Sequence, residues 1–175
     1  MTGIAADGCR AMEDEKLRSE LEKHHPAAYG WALHCCGRNP GEAEDVLQTA
    51  YLRILGGKAR FNGSSSFRTW LFAVVRNTAA DQQRSWWRRL LRESGWSAQQ
   101  TRSRTHHADS GGSVELESAM TQLSERQREA LHLTFYQGMT VEEASEVMSV
   151  SVGSARTHYE RGKTRLRSLL NGAMR

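Results

Sequence analysis

Ser124–Leu170, SERQREALHLTFYQGMTVEEASEVMSVSVGSARTHYERGKTRLRSLL, contains a run of helix starts and stops. Ser124-Glu125-Arg126-Gln127 is a capping box, with Gln127 placed to reach back to the Ser124 amide. The helix it opens stops at Gly138. Thr140-Val141-Glu142-Glu143 is a second capping box and starts a short helix that ends near Met148. Ser151 then caps a third helix that continues to about Leu170. A short helix, a tight turn and a longer basic helix form a helix-turn-helix. A plain helical hairpin with a solvated basic face is the alternative, and it leaves the coincidence of two caps, a turn and a basic third helix unexplained.

Periodicity assigns the faces of that last helix. Ala155, Tyr159, Gly162, Leu166 and Leu169 recur at helical spacing and face inward. At about 100° per residue, Thr157, Glu160, Arg161 and Thr164 lie opposite, flanked by Ser154 and Arg156. The N-terminal part of a recognition helix points at base edges, so Arg156, Thr157, Glu160 and Arg161 are the readout candidates. Arg165 and Arg167 suit phosphates better. Gly162 inside the helix costs about 1 kcal/mol relative to Ala, which predicts close packing against a neighbour or a weak point.

Outside this stretch the chain also reads as helical. Its 175 residues include only two prolines, many helix formers and no strong alternating pattern, which predicts an all-α protein. Residues 13–37 read as a helix in two pieces, broken near Pro26, which suits the first turn of a new helix. Gly37–Gly41 is a turn, Glu42–Leu55 a helix ended by Gly56-Gly57, and Phe67 to about Leu91 a long helix. Residues 93–112 have no period and little apolar content, so they read as a flexible linker. The expected architecture is two small helical domains, residues 10–92 and 113–175, joined by that linker.

Charge is unevenly spread along the chain, whose net formal charge is +4. Residues 1–60 carry −1, 61–112 carry +5, 113–155 carry −5 and 156–175 carry +5. Two positive blocks predict two separate polyanion contacts, with solvated helix faces as the alternative. No run of about 18 apolar residues occurs, so no membrane insertion is expected. The first residues lack the pattern of a secretory signal, and the three cysteines form no framework, so reduced thiols and a cytoplasmic location are expected.

Two segments of the first half carry exposed chemistry. In Glu42–Leu55 the stripe Ala43, Val46, Leu47, Ala50 and Ile54 faces inward, with Asp45, Gln48 and Leu52 opposite. An outward Leu among polar groups suits a protein contact, although single exposed leucines are common. Phe61–Arg84, FNGSSSFRTWLFAVVRNTAADQQR, joins a Gly/Ser loop to an amphipathic helix presenting Trp, Asn, Asp and Arg, a surface suited to unpaired nucleic acid. Arg84, Trp86, Trp87, Arg88, Arg89 and Arg92 add a basic cluster interleaved with aromatics. It fits DNA contact through the arginines, while at least one Trp is expected to cover the core.

These residues resemble a family. Ala43-Glu44-Asp45-Val46-Leu47-Gln48, then Trp70-Leu71, then Asn77, Asp81 and Arg84 are similar to region 2 of the extracytoplasmic-function (ECF) sigma factors. The helix-turn-helix with Val150-Ser151-Val152-Gly153-Ser154 resembles region 4 of the same sigma-70 group. The resemblance implies binding to core RNA polymerase, through the β′ clamp helices for region 2 and the β flap for region 4. It further implies promoter DNA, duplex and single-stranded, as ligand, an anti-sigma factor as partner, and nucleoid association of the polymerase-bound chain. Asp45, Gln48, Thr49 and Leu52 would dock on the polymerase. Phe61, Asn62, Gly63, Ser64, Ser65 and Asn77 match positions that receive a base flipped from the non-template strand of the −10 element, with Arg84 and Arg88 on DNA nearby. Trp70 matches an aromatic beside that pocket and equally suits the core. Ser154, Arg156, Thr157, Glu160, Arg161 and Arg165 would meet the −35 duplex.

The physical logic agrees with the resemblance. Capturing an unstacked base offsets an unpairing cost of a few kcal/mol through stacking and edge hydrogen bonds. An Asn amide offers both donor and acceptor for such an edge. Gly63 and the serines allow close backbone approach. Asp81 has a structural alternative, pairing with Arg84 one turn on. Ala155 and His158 depart from the usual pattern, which bears on the exact −35 preference rather than the role.

His24, His25, His34, Cys35 and Cys36 make no metal site on a continuous helix. His24 and Cys35 would share a face about 16 Å apart, and adjacent cysteines diverge by about 100°, whereas zinc needs bonds of about 2 Å to one ion. His106 and His107 fall in the linker. No nucleophile–base pair or phosphate loop points to an enzyme, and no cofactor is expected. The remaining rivals are a stand-alone helix-turn-helix regulator and a polymerase adaptor that does not bind DNA.

Overall fold

The structure, a computed structural model, describes residues 5–94 and 114–173. In order these form α1 (Ala5–Cys35), α2 (Pro40–Leu55), α3 (Phe67–Ser94), α4 (Val114–Thr121), α5 (Glu125–Leu131), α6 (Val141–Met148) and α7 (Val152–Ala173). A single π turn, His132–Tyr136, extends α5. No strand occurs among the described residues, as the all-α reading expects. Most of the segment read as a linker, with His106 and His107, lies outside the described residues, and α3 takes in its first two positions, Glu93 and Ser94.

The first difference from the sequence reading is at Pro26. Helix α1 runs unbroken through it. Leu21, Ala28, Trp31 and Ala32 are buried on both sides of the proline and hold one axis. Pro26 and Glu22 are exposed, so the carbonyl that loses its helical donor is open to water. Packing outweighs the local preference for a break.

The capping signals are where the residues place them. Asn39 accepts from the Glu42 amide with Pro40 in the first turn, so α2 starts two residues before the expected Glu42. Ser124/Gln127 and Thr140/Glu143 form complete capping boxes. Gly138 at φ 60° turns the chain after the π segment, in a conformation that Gly adopts at no steric cost.

The three helices α1–α3 bury Ala43, Val46, Leu47, Ala50 and Ile54 against Trp31, Leu71, Phe72 and Val75. Helices α5–α7 bury Leu131, Ala144, Val147, Met148 and Ala155. The two helical groups also pack directly on one another, through α3 against α6 and across the α1–α3 surface that meets α5 and the π turn. Trp31, Phe72, Ala130, Leu133 and Met148 belong to one continuous core. Arg76 on α3 donates to both oxygens of Glu129 on α5, at 2.7 and 3.3 Å. Arg126 adds a 3.2 Å bond to Glu129 and a 3.0 Å bond to the Met148 carbonyl. Arg68 donates to the Gln137 carbonyl and lies over the Phe72 ring.

Gly162 is a point of close approach. A Cβ there would sit 3.2 Å from Gln127 Cβ and Leu131 Cδ1 and 3.3 Å from the Gln127 carbonyl oxygen. Of the two sequence alternatives, close packing is the one realised. Gly162→Val is therefore expected to destabilise the α5–α7 group by about 1–3 kcal/mol. Urea unfolding followed by helical circular dichroism measures it, and an unchanged midpoint would refute the close fit.

Candidate nucleic-acid interface

The loop before α3 is organised by its own polar residues. Asn62 Oδ1 accepts from the Ser64 amide at 3.1 Å and from Ser64 Oγ at 2.8 Å, a turn in which Asn replaces a backbone acceptor. Gly63 takes φ 76°. Ser66 Oγ accepts from the Thr69 amide at 3.1 Å, so Ser66 caps α3. Phe61, Asn62, Gly63 and Ser64 are exposed, and Ser65 is half-buried.

Beneath this loop lies an aromatic group. Phe61, Phe67 and Trp70 have ring centroids 5.3 to 5.4 Å apart. Trp70 is half-buried, so it packs on its neighbours and still offers an edge to the loop. Phe67 also lies 6.0 Å from His24. The sequence reading did not single out Phe67. Its i, i+3 spacing from Trp70 was the available signal.

Helix geometry then lines up the rest. Positions 70, 77, 81, 84 and 88 fall within about 60° of one another around α3, because seven residues make almost two turns. Asn77 is exposed, about 10 Å along the axis from Trp70. Asp81 bonds Arg84 at 2.7 Å and Arg53 of α2 at 2.9 Å. Those two hydrogen bonds, Arg84's first, hold the Asp81 carboxyl below its usual range. Asp81 thus pins α3 to α2. The Arg53 partner comes from 28 positions away and has no local signal. Arg84 and Arg88 are exposed. Trp86 is exposed and Trp87 half-buried, in edge contact at 4.9 Å.

On α2, Asp45, Gln48 and Leu52 are exposed, Leu52 by 66%. Thr49 is only half-exposed, because its Oγ1 accepts from Gln82 Nε2 at 3.1 Å. Leu55 is also exposed and extends the apolar strip by one turn, which the i, i+3 spacing from Leu52 could have revealed.

The second surface is on α7. Ser154, Arg156, Thr157, Glu160, Arg161 and Arg165 are all exposed, while Ala155 and Gly162 are buried on the opposite side. Ser151 Oγ accepts from the Ser154 amide at 3.2 Å and opens the helix. Thr157 Oγ1 donates to the Gly153 carbonyl, which fixes its rotamer. Arg156 reaches Glu142 on α6 at 3.4 Å, a loose exposed pair that a stronger acceptor would displace. Ser149 at φ 54° makes the tight turn between α6 and α7.

The five His and Cys side chains weighed as metal ligands have other surroundings. His24 pairs with Glu20, His25 with the Tyr51 hydroxyl, and His34 stacks on Trp31 and His132. Burial raises the Cys35 thiol well above its usual range and Cys36 to about 12, so neither is a ready thiolate. Among the described residues no group of three or more acidic, His or Cys side chains could hold a metal ion. No described helix is long and apolar enough to cross a membrane.

Comparison with known proteins adds an independent line. The family description Sigma-70 region 2 matches residues 21–89, and Sigma-70, region 4 matches residues 113–166. The ECF RNA polymerase sigma factor SigC of Mycobacterium tuberculosis is 33% identical over 127 residues, covering 72% of this chain and 69% of SigC. The RNA polymerase sigma factor CarQ of Myxococcus xanthus is 30% identical over 150 residues, covering 85% of each. The sigma factor RpoE of Bartonella quintana, solved with the anti-sigma factor NepR, superposes with a TM-score of 0.71 at 24% identity. That alignment covers 90% of this chain and 98% of RpoE, and it speaks to the fold.

Proposed function

This chain belongs to the ECF sigma factors of the sigma-70 family, and on that premise we propose how it divides the work of promoter recognition. Residues 10–92 form the unit that docks on core RNA polymerase and reads the −10 element. Residues 93–112 connect, and residues 113–175 read the −35 duplex and meet the β flap. The supporting observation is a pair of exposed stripes, Asn77, Arg84 and Arg88 on α3 beside the half-buried Trp70, and Ser154, Arg156, Thr157, Glu160, Arg161 and Arg165 on α7, each backed by a buried face.

In this reading Asp45, Gln48, Thr49 and Leu52 contact the β′ clamp helices. Leu52 supplies the apolar anchor and its polar neighbours the register. Asn77 bonds the edge of an unstacked −10 base, with Phe61 and Trp70 as stacking surface and Asn62, Gly63, Ser64 and Ser65 as close-fitting backbone. Arg84 and Arg88 meet the DNA backbone. Arg156 and Arg161 read −35 base edges with Thr157 and Glu160, while Ser154 and Arg165 hold the phosphates. The work is recognition and duplex opening, with no catalytic step of its own. It takes place in the cytoplasm, on the nucleoid when polymerase is bound. An anti-sigma factor masks the polymerase-binding faces.

Transcription with purified core polymerase tests the proposal. Specific transcripts that appear only when the chain is added support it. DNA binding by the free chain without polymerase-dependent initiation favours a stand-alone regulator, and polymerase binding without DNA contact favours an adaptor. Within the proposal, Arg161→Ala is expected to weaken −35 recognition by about 1–3 kcal/mol. Polymerase binding should be unchanged in that variant. Lost polymerase affinity would refute the assignment.

A further inference from the structure

The junction between the two helical groups has a feature that promoter recognition does not use. His34 of α1 and His132 of the π turn stack across it, with ring centroids 4.2 Å apart and planes at 29°. Trp31 flanks both rings, at 5.2 Å from His34 and 5.5 Å from His132. Tyr136 also stacks on His132, with ring centroids 5.2 Å apart. Gln137 Nε2 lies 3.3 Å from His132 Nε2.

The surroundings disfavour a charge on either ring. Arg38, just after α1, and Arg128 of α5 both act on His34, and Arg38 acts on His132. From α3, Arg68 and Arg76 also reach the junction. Of the junction acids, Glu129 is held by Arg76 and Arg126, and Glu125 is exposed at the start of α5. Two stacked imidazoles with cations on several sides pack well only while neutral.

In this arrangement the two reading surfaces are close together. Helix α3 packs on α6, and α6 on α7. Two interaxial steps of 8–10 Å separate the axes of α3 and α7 by at most roughly 20 Å. Elements at −35 and −10 lie about 25 base pairs apart, roughly 85 Å along the duplex at 3.4 Å per pair. Simultaneous reading requires the halves to part.

We propose that the His34–His132 stack is a proton-operated latch. Neutral, it holds the α5–α7 group on the α1–α3 group; protonated, it releases them. The gain for promoter reading rests on the sigma proposal above, whereas the latch itself does not.

The direction follows from linkage. Burial, the largest effect, lowers His132 to about 4 and His34 well below its usual value, with the neighbouring cations adding to it. Parted, each ring titrates near its ordinary value of about 6.5. The closed form therefore has its full stability above about pH 6.5 and loses it as pH falls toward the closed-state values. Between pH 7.5 and 5.5 the open-to-closed ratio should rise about tenfold per histidine, roughly 100-fold for both.

The test uses the full chain without polymerase or DNA, with a FRET pair at the exposed positions Glu22 and Ser168, alongside circular dichroism. The expected result is a fall in transfer between pH 7.5 and 5.5 at constant helicity. His34→Phe/His132→Phe keeps the stacked rings and cannot protonate, so it should stay closed at both values. A pH-independent wild type, a double variant that opens like wild type, or opening in step with lost helicity would overturn the latch. If the double variant does not fold, NMR titration of the wild-type imidazoles decides: proton uptake by both rings in step with the fall in transfer supports the latch, and proton uptake that leaves the transfer unchanged overturns it. Failure to initiate transcription would count against the sigma proposal and leave this result standing.

Discussion

Trp31→Ala is expected to lower unfolding stability by about 3–5 kcal/mol, a large fraction of the stability of a domain this size. Trp31 is fully buried, and its ring lies parallel to Phe72 at 6.0 Å. Its indole N–H donates to the Phe72 carbonyl at 3.0 Å. It also touches His34 and His132, so the cavity would open where the two helical groups join. Few side chains nearby can collapse into that volume, because Leu71, Val75 and Leu133 are already fully enclosed. Urea unfolding measures the loss as a lower midpoint at constant slope. Trp31→Phe keeps most of the ring contact and loses the hydrogen bond, so it should fall between wild type and the alanine variant. A wild-type midpoint for Trp31→Ala would mean that the junction contributes little.

Asn77→Ala is expected to reduce promoter opening about fivefold to 100-fold while duplex −35 binding changes less than twofold. One or two edge hydrogen bonds to an unstacked base are worth about 1–3 kcal/mol, and 1.4 kcal/mol is a factor of ten. Asn77 is exposed on α3, a helix anchored by buried Leu71, Phe72, Val75 and Ala79, so its truncation leaves the fold intact. Permanganate footprinting of unpaired thymines reads opening, and gel shift on a −35 duplex reads binding. Equal loss in both would count against a base pocket at Asn77. A pre-melted promoter should restore much of the activity, since its unpairing cost is already met.

Most of the candidate site was legible because its signals are local. The buried stripe of α2, Ala43 to Ile54, is the one its period predicts. Both capping boxes form, because a side chain three residues from an amide needs no tertiary context. Ala155 and Gly162 face inward, and Arg156, Thr157, Glu160 and Arg161 face out, as spacing alone requires. The reading went astray at Pro26, where local propensity met long-range packing. It was incomplete at Asp81, whose second partner Arg53 comes from another helix.

By itself, then, the sequence determined most of the helices, their caps, their inward faces and the family, but neither the unbroken course of α1 through Pro26 nor the short helix α4. Each feature it determined depends on residues within two turns of one another or on the order of motifs along the chain. Tertiary structure alone decided that the two helical groups share a core, that Glu129 joins Arg76 to Arg126, and that His34 meets His132. Those contacts join residues far apart in the chain, where no periodicity links them. Only the packed molecule can bring such side chains within reach of one another.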